Sequence, residues 1–226
     1  MSDDDALLLA LQHGDSFFPS GSIAFSWGLE TLRAEGVIAS AADLQRFATG
    51  QLTRRWASCD RPALAAAHAA GGDLDRVREV DRAVEALTLA REMREGSRRG
   101  GATLLGVHEA LGTPGAAVYR RSVRSGEAPG HLAAVQGLVW RGVDLPQDAA
   151  AAISAHGLSI GLLGAALRLG LIGHLEAQRI LACLRPVIRR LLARPPAPLR
   201  RLAAFAPEAE IAAMRHETAS LRLFAN

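Results

Sequence analysis

From Ala149 to Leu167 the chain runs for nineteen residues without a formal charge, bounded by Asp148 and Arg168. A stretch of that length needs apolar surroundings on every side, so it belongs either in a bilayer or at the centre of a fold. Ser154, His156 and Ser159 interrupt it, and Ala supplies much of its bulk rather than Leu, Ile or Phe. Those features suit a helix buried in a bundle and argue against a membrane span. Gly157 and Gly161 are expected to let neighbouring helices come close.

Composition decides what surrounds this helix. The 226 residues include 44 Ala and 33 Leu but only 11 Val, 8 Ile and 7 Thr. Ala and Leu favour helix, whereas β-branched residues favour strand, so the chain is expected to be all-α. Its length fits one domain spanning residues 1–226, a bundle of about nine or ten helices. Cap chemistry marks several of them. Ser40 followed by Asp43 reads as a capping box for a helix reaching about Ser58. Asp73 opens a helix with an apolar stripe through Leu74, Val77, Val80 or Asp81, Val84 and Leu87. Thr113-Pro114 and Asp144-Leu145-Pro146 read as helix starts with Pro just inside, and Gly71-Gly72, Gly112 and Gly142 as stops. No fixed repeat is visible.

All 26 basic residues are Arg. Without Lys there is no phosphate-loop lysine, Schiff base or Ser-Lys dyad. The formal net charge is only +3 and the Arg pairs are scattered, so no nucleic-acid partner is expected. Cys59 and Cys183 are far apart and the N-terminus is acidic, which suits reduced thiols and a cytoplasmic chain without a signal peptide.

The motifs that suggest catalysis lack their context. Gly157-Leu158-Ser159-Ile160-Gly161 has the nucleophile-elbow pattern, and His216 follows it, so a small helical serine hydrolase using Ser159 and His216 is the alternative reading. That pattern needs a strand and a strained turn before the serine, whereas here an Ala-rich helix precedes it. Gly14-Asp15-Ser16 resembles another esterase block, but no His has Asp three residues before it and the only Asn is Asn226. No two of the seven His lie three or four apart and there is no C-x-x-C, so no metal cage is encoded locally. No cofactor loop is present. A scaffold fits these absences better than an enzyme.

Three segments are unusual for a plain bundle. Residues 18–30, FPSGSIAFSWGLE, combine small residues with aromatics, and with Phe17 they hold four of the chain's ten aromatics. They read either as a helix entry over the core or as a protein-binding surface. Residues 91–101, REMREGSRRGG, read as a polar helical face closed by two glycines. It is either a solvated set of ion pairs or a face for an acidic partner. Reversing Arg94 and Arg98 to Glu is accordingly expected to weaken assembly without unfolding. Residues 215–226, RHETASLRLFAN, end in Leu221, Leu223 and Phe224, which need cover.

In this order and spacing the three segments resemble the UreF family of urease accessory proteins. The first carries the family's pattern at Pro19, Gly21, Ser26, Gly28, Leu29 and Glu30. The second does so at Arg94, Glu95, Arg98, Arg99 and Gly101, and the third at Arg215, His216, Glu217, Thr218, Arg222, Leu223 and Phe224. Weaker similarity at Asp60-Arg61-Pro62 and Asp144-Leu145-Pro146 extends the resemblance over nearly the whole chain. Ile23 stands where the family usually has an aromatic, and Gly100 where it usually has Met.

The resemblance implies a cytoplasmic, non-enzymatic, all-α assembly factor without a metal or cofactor of its own. It implies a homodimer that joins UreD (also called UreH) and the GTPase UreG on urease apoprotein, so that nickel enters the urease active site. The motif residues of all three segments become candidate partner-binding residues. Residues 1–5 and 216–226 are expected to be flexible, the latter as a docking element for UreD that is separate from the core.

Overall fold

The computed structural model describes residues 2–19, 25–218 and 223–224. Among them every regular element is helical. The α-helices are α1 (Asp3–Gly14), α2 (Leu29–Ala34), α3 (Ala41–Gln51), α4 (Arg61–Ala69), α5 (Leu74–Leu87) and α6 (Arg91–Ala110). They continue with α7 (Ala116–Arg124), α8 (Leu132–Gly142), α9 (Gln147–Arg168), α10 (His174–Leu192) and α11 (Pro207–His216). A π-helical segment, Leu52–Asp60, joins α3 to α4 without a break, and a 3₁₀ turn spans Leu199–Arg201.

The caps follow the side chains. Ser40 and Asp43 exchange hydrogen bonds as a capping box at α3, and Ser2 with Asp5 does the same at α1. Asp73 accepts from the amides of Asp75 and Arg76 to start α5, whose Val77, Val80, Asp81 and Val84 are buried as the stripe requires. Gly71, Gly72 and Gly112 adopt positive φ as stops. Gly142 does not. It is the last residue of α8, kept as glycine because a Cβ there would stand 2.9 Å from the Pro114 carbonyl oxygen, and Asp144 takes the left-handed turn.

The helix expected to end near Ser58 continues to Ala69 through the π segment. Pro62 supplies the reason. In an α-helix its amide would serve the Ser58 carbonyl, and it has none. That carbonyl instead accepts from the Ala203 amide at 3.0 Å, so the wider turn fastens the irregular 202–206 connection to the bundle. Arg61, beside it, donates to the carbonyls of Leu191, Leu192 and Arg194 and ties down the end of α10.

Two apolar clusters make up the core, and α9 runs through both. Ala155, Leu162 and Ala166 of α9 belong with Leu44, Trp56, Ile180 and Leu184, while Ala150 and Ile153 belong with Leu64, Leu104, Tyr119 and Leu138. The uncharged stretch is therefore a core helix, as its sequence suggests. Where α4 and α8 cross, Gly137 allows an approach that a Cβ, 2.4 Å from the Leu64 carbonyl oxygen, would prevent.

Candidate functional site

α2 opens on two successive left-handed residues, Trp27 (φ 55°) and Gly28 (φ 80°). A Cβ on Gly28 would lie 2.7 Å from the Ala209 carbonyl oxygen, so glycine lets α2 settle directly on α11. This turn aims Glu30 at the end of α11. There His216, 1% exposed, stands between two carboxylates. Its Nε2 is 3.0 Å from Glu30 Oε2 and its Nδ1 2.8 Å from Glu92 Oε2. A neutral imidazole has one N–H and can serve only one of them; the imidazolium serves both. Because the two nitrogens face opposite carboxylates, the group forms a bridge between α2, α6 and α11 and does not converge on one point as metal ligands would.

Ion pairs flank the bridge. Arg91 Nε lies 3.2 Å from Glu217, and Arg215 lies 3.1 Å from Glu35. The amides of Leu223 and Phe224 donate to the two Glu30 oxygens at 2.7 and 3.1 Å. Phe224 is 5% exposed, within the core cluster, and the Arg168 guanidinium sits 4.3 Å from its ring centroid. At Phe224, therefore, the segment read from sequence as a docking element separate from the core packs on the body of its own chain. Residues 219–222 and 225–226, with Leu221 and Arg222, lie outside the described residues, as does Gly21.

The middle segment also differs from its reading. α6 passes straight through Gly100 and Gly101, which were expected to close it, and both are buried. Gly101 faces the Gly130 carbonyl oxygen, 2.0 Å from where a Cβ would be, so the pair marks a crossing and not a stop. Arg94 and Arg98 are bonded within the chain. Arg98 bridges both oxygens of Glu85 on α5, and Arg94 donates to the carbonyls of Thr88 and Leu89 at 2.9 and 2.6 Å. His131 Nε2 reaches the same Glu85 at 2.6 Å. Burial alone would raise the Glu85 carboxyl, but the Arg98 and His131 bonds and charges hold it below the usual range. The free basic face of the sequence reading is therefore mostly a stitch between α5 and α6. Glu95 pairs with Arg91 at 3.6 Å, and Arg99 is exposed with its guanidinium 5.4 Å from the Phe25 ring.

Of the candidate partner-binding residues, Ser26, Gly28, Leu29, His216 and Phe224 are buried and shape the site from within. Pro19, Arg99, Arg215, Thr218 and Leu223 are exposed; Glu30, Arg94, Glu95, Arg98 and Glu217 are half-buried. Sequence reasoning missed Glu92 and Glu85, which are acidic residues on amphipathic helices with nothing local to mark their partners. A cavity of about 310 Å³ adjoins the site, lined by Phe18, Phe25 and Trp27 and by Gly157 and Gly164 of α9. Among the described residues, no atom lies within 4 Å of a Cβ built on either of those glycines. Gly157 consequently faces open space, where close helix approach was expected.

The hydrolase reading fails on geometry. Ser159 lies in the middle of α9, fully buried, and donates to the Ala155 carbonyl at 2.9 Å. Both ring nitrogens of His216 are taken by carboxylates.

The sequence profile of the UreF family matches residues 38–185, well over half of the chain. The chain belongs to the UreF family. It is 34% identical to the urease accessory protein UreF of Trichodesmium erythraeum, over all of this chain and 99% of that one. It is 34% identical to that of Kocuria rhizophila over 96% of each, and 30% identical to one from Cereibacter sphaeroides over 97% and 98%. UreF proteins are accessory proteins and not catalysts, so this chain is an accessory protein of urease and no enzyme. The match to the UreF profile ends at residue 185, and the alignment with the Trichodesmium erythraeum protein, which covers all of this chain, includes α11 and the tail.

Proposed function

We propose that this chain works in the cytoplasm as a homodimeric scaffold that joins UreD (UreH) and the GTPase UreG on urease apoprotein, so that nickel enters the urease active site. Nickel is cargo in this reading, and the GTPase supplies the hydrolysis. The observation that supports it best is the meeting of the three family segments around His216: residues 186 positions apart in the chain share one bonded cluster. The exposed residues of the three segments, among them Arg99, Arg215 and Leu223, include cationic and apolar groups, a mixture suited to a protein partner.

Co-expression of the tagged chain with UreD, UreG and urease apoprotein tests the reading. Both accessory proteins should be retained on the tag, and nickel-dependent urease activity should fall to background when the chain is omitted. Retention of neither partner, or full urease activation without the chain, would refute it.

A further inference from the structure

We infer that Glu30 is the positioning residue of the C-terminal segment: its carboxylate, aligned by His216, captures two successive backbone amides and so holds that segment on the body of the chain in the register that presents Leu223 to a partner. The inference rests on the proposed role of the segment in partner binding, but its first test does not.

Glu30 Oε1 accepts from the Leu223 amide, while Oε2 accepts from both the Phe224 amide and His216 Nε2. The remaining nitrogen of His216 is held by Glu92, whose helix also carries the Arg91–Glu217 pair; Arg215 is held by Glu35 at the end of α2. The carboxylate therefore cannot swing away without leaving Nε2 of a buried imidazole without its partner, which is costly in a low-dielectric site. Two successive amides on one carboxylate read backbone and not side chains, in the manner of an anion bound by a backbone nest, with the roles of site and guest exchanged.

Side-chain selection comes from the neighbours. Phe224 is turned inward, against the core and Arg168, while Leu223 is 65% exposed. A slip by one residue would offer Glu30 a different pair of amides but would expose the aromatic ring and withdraw the leucine. Phe224 thus sets the register, and Glu30 holds the backbone in it with Leu223 presented outward.

The test uses the full-length chain labelled with ¹⁵N. In the parent protein the Leu223 and Phe224 amides should exchange at least about tenfold more slowly than in an unstructured peptide. Glu30→Gln should abolish that protection, because a carboxamide has one acceptor oxygen for three donors, while Glu92→Gln, which leaves the amide acceptors in place, should retain most of it. Unprotected amides in the parent, or protection unchanged in Glu30→Gln, would overturn the inference. Should Glu30→Gln not fold well enough for exchange, its cost is compared in the full chain and in a chain ending at Thr218. A smaller loss of stability in the shortened chain supports the clamp, and an equal loss overturns it.

Partner binding then separates the two readings. Glu30→Gln should weaken UreD binding about tenfold in the full chain and have no further effect in the shortened one. If shortening leaves UreD binding intact, the docking role of the segment fails, while the amide protection still judges the clamp.

Discussion

Asp81 is wholly buried on α5 and accepts three hydrogen bonds: from the Tyr119 hydroxyl at 2.7 Å, the Gly130 amide at 2.7 Å and the His131 amide at 2.8 Å. Its position in the α5 stripe marks it as inward, but not its partners, which lie 38 to 50 residues away. In Asp81→Asn an amide NH₂ must face one of these donors. We expect a loss of about 2–3 kcal/mol in urea unfolding, typical of a buried donor left unsatisfied. His108 sets a pH dependence. Burial, followed by the nearby His13, lowers it to about 4 from an ordinary 6.5. The unfolded chain then binds the proton over a range in which the folded chain does not, so stability is full above pH 6.5 and falls as pH drops toward 4. His131 and His156, also lowered chiefly by burial, act in the same direction. Denaturation at pH 7 and pH 5 should show a clear fall, and His108→Leu should reduce that fall by something on the order of 1–2 kcal/mol without removing it.

At the scale of elements, the junctions depend on atoms that local patterns do not reveal. Gly101→Ala raises helix propensity, by about 1 kcal/mol in isolation, yet it should destabilise the protein by about 2–3 kcal/mol, because its Cβ meets the Gly130 carbonyl and the α6–α8 crossing must open. Thermal unfolding of this variant decides between propensity and packing. The α5–α6 stitch makes a second contrast. Arg98→Glu sets a carboxylate against Glu85 and should cost about 1–2 kcal/mol, whereas the exposed Arg99→Glu should change stability by less than about 0.5 kcal/mol. Equal effects in chemical denaturation would show that Glu85 is not the anchor. The reversal of Arg94 and Arg98, expected from sequence to leave the fold intact, falls on two arginines that pair with Glu85, so the denaturation of Arg98→Glu tests that expectation directly.

For the whole molecule, the tail belongs partly to the core. Ending the chain at Thr218 removes the buried Phe224 and the two amides on Glu30, which should cost about 2 kcal/mol and lower Tm by about 4–8 °C in a domain of this size. An unchanged Tm would return the tail to a purely docking role. Among the described residues beyond 218, Phe224 is the one that belongs to either apolar cluster, so its loss is the cost assigned to this truncation.

What the sequence determined by itself is local or repetitive: the helices, the Ser40 and Asp73 caps, the inward stripe of α5, the burial of the uncharged α9, and the three segments that carry the family resemblance. Each rests on bonds and spacings within a few turns of helix, where propensity and period act directly. Tertiary structure alone decided that Glu30, Glu92 and His216 meet, that Arg94 and Arg98 face Glu85, that Gly101 marks a crossing while Gly157 faces a cavity, and that Phe224 turns inward. These depend on which surfaces come together, whether 13 residues apart, as for Arg98 and Glu85, or 186, as for Glu30 and His216. No periodicity encodes that distance, because a charged side chain on an exposed helical face looks the same in sequence whether it meets water or a partner on another helix.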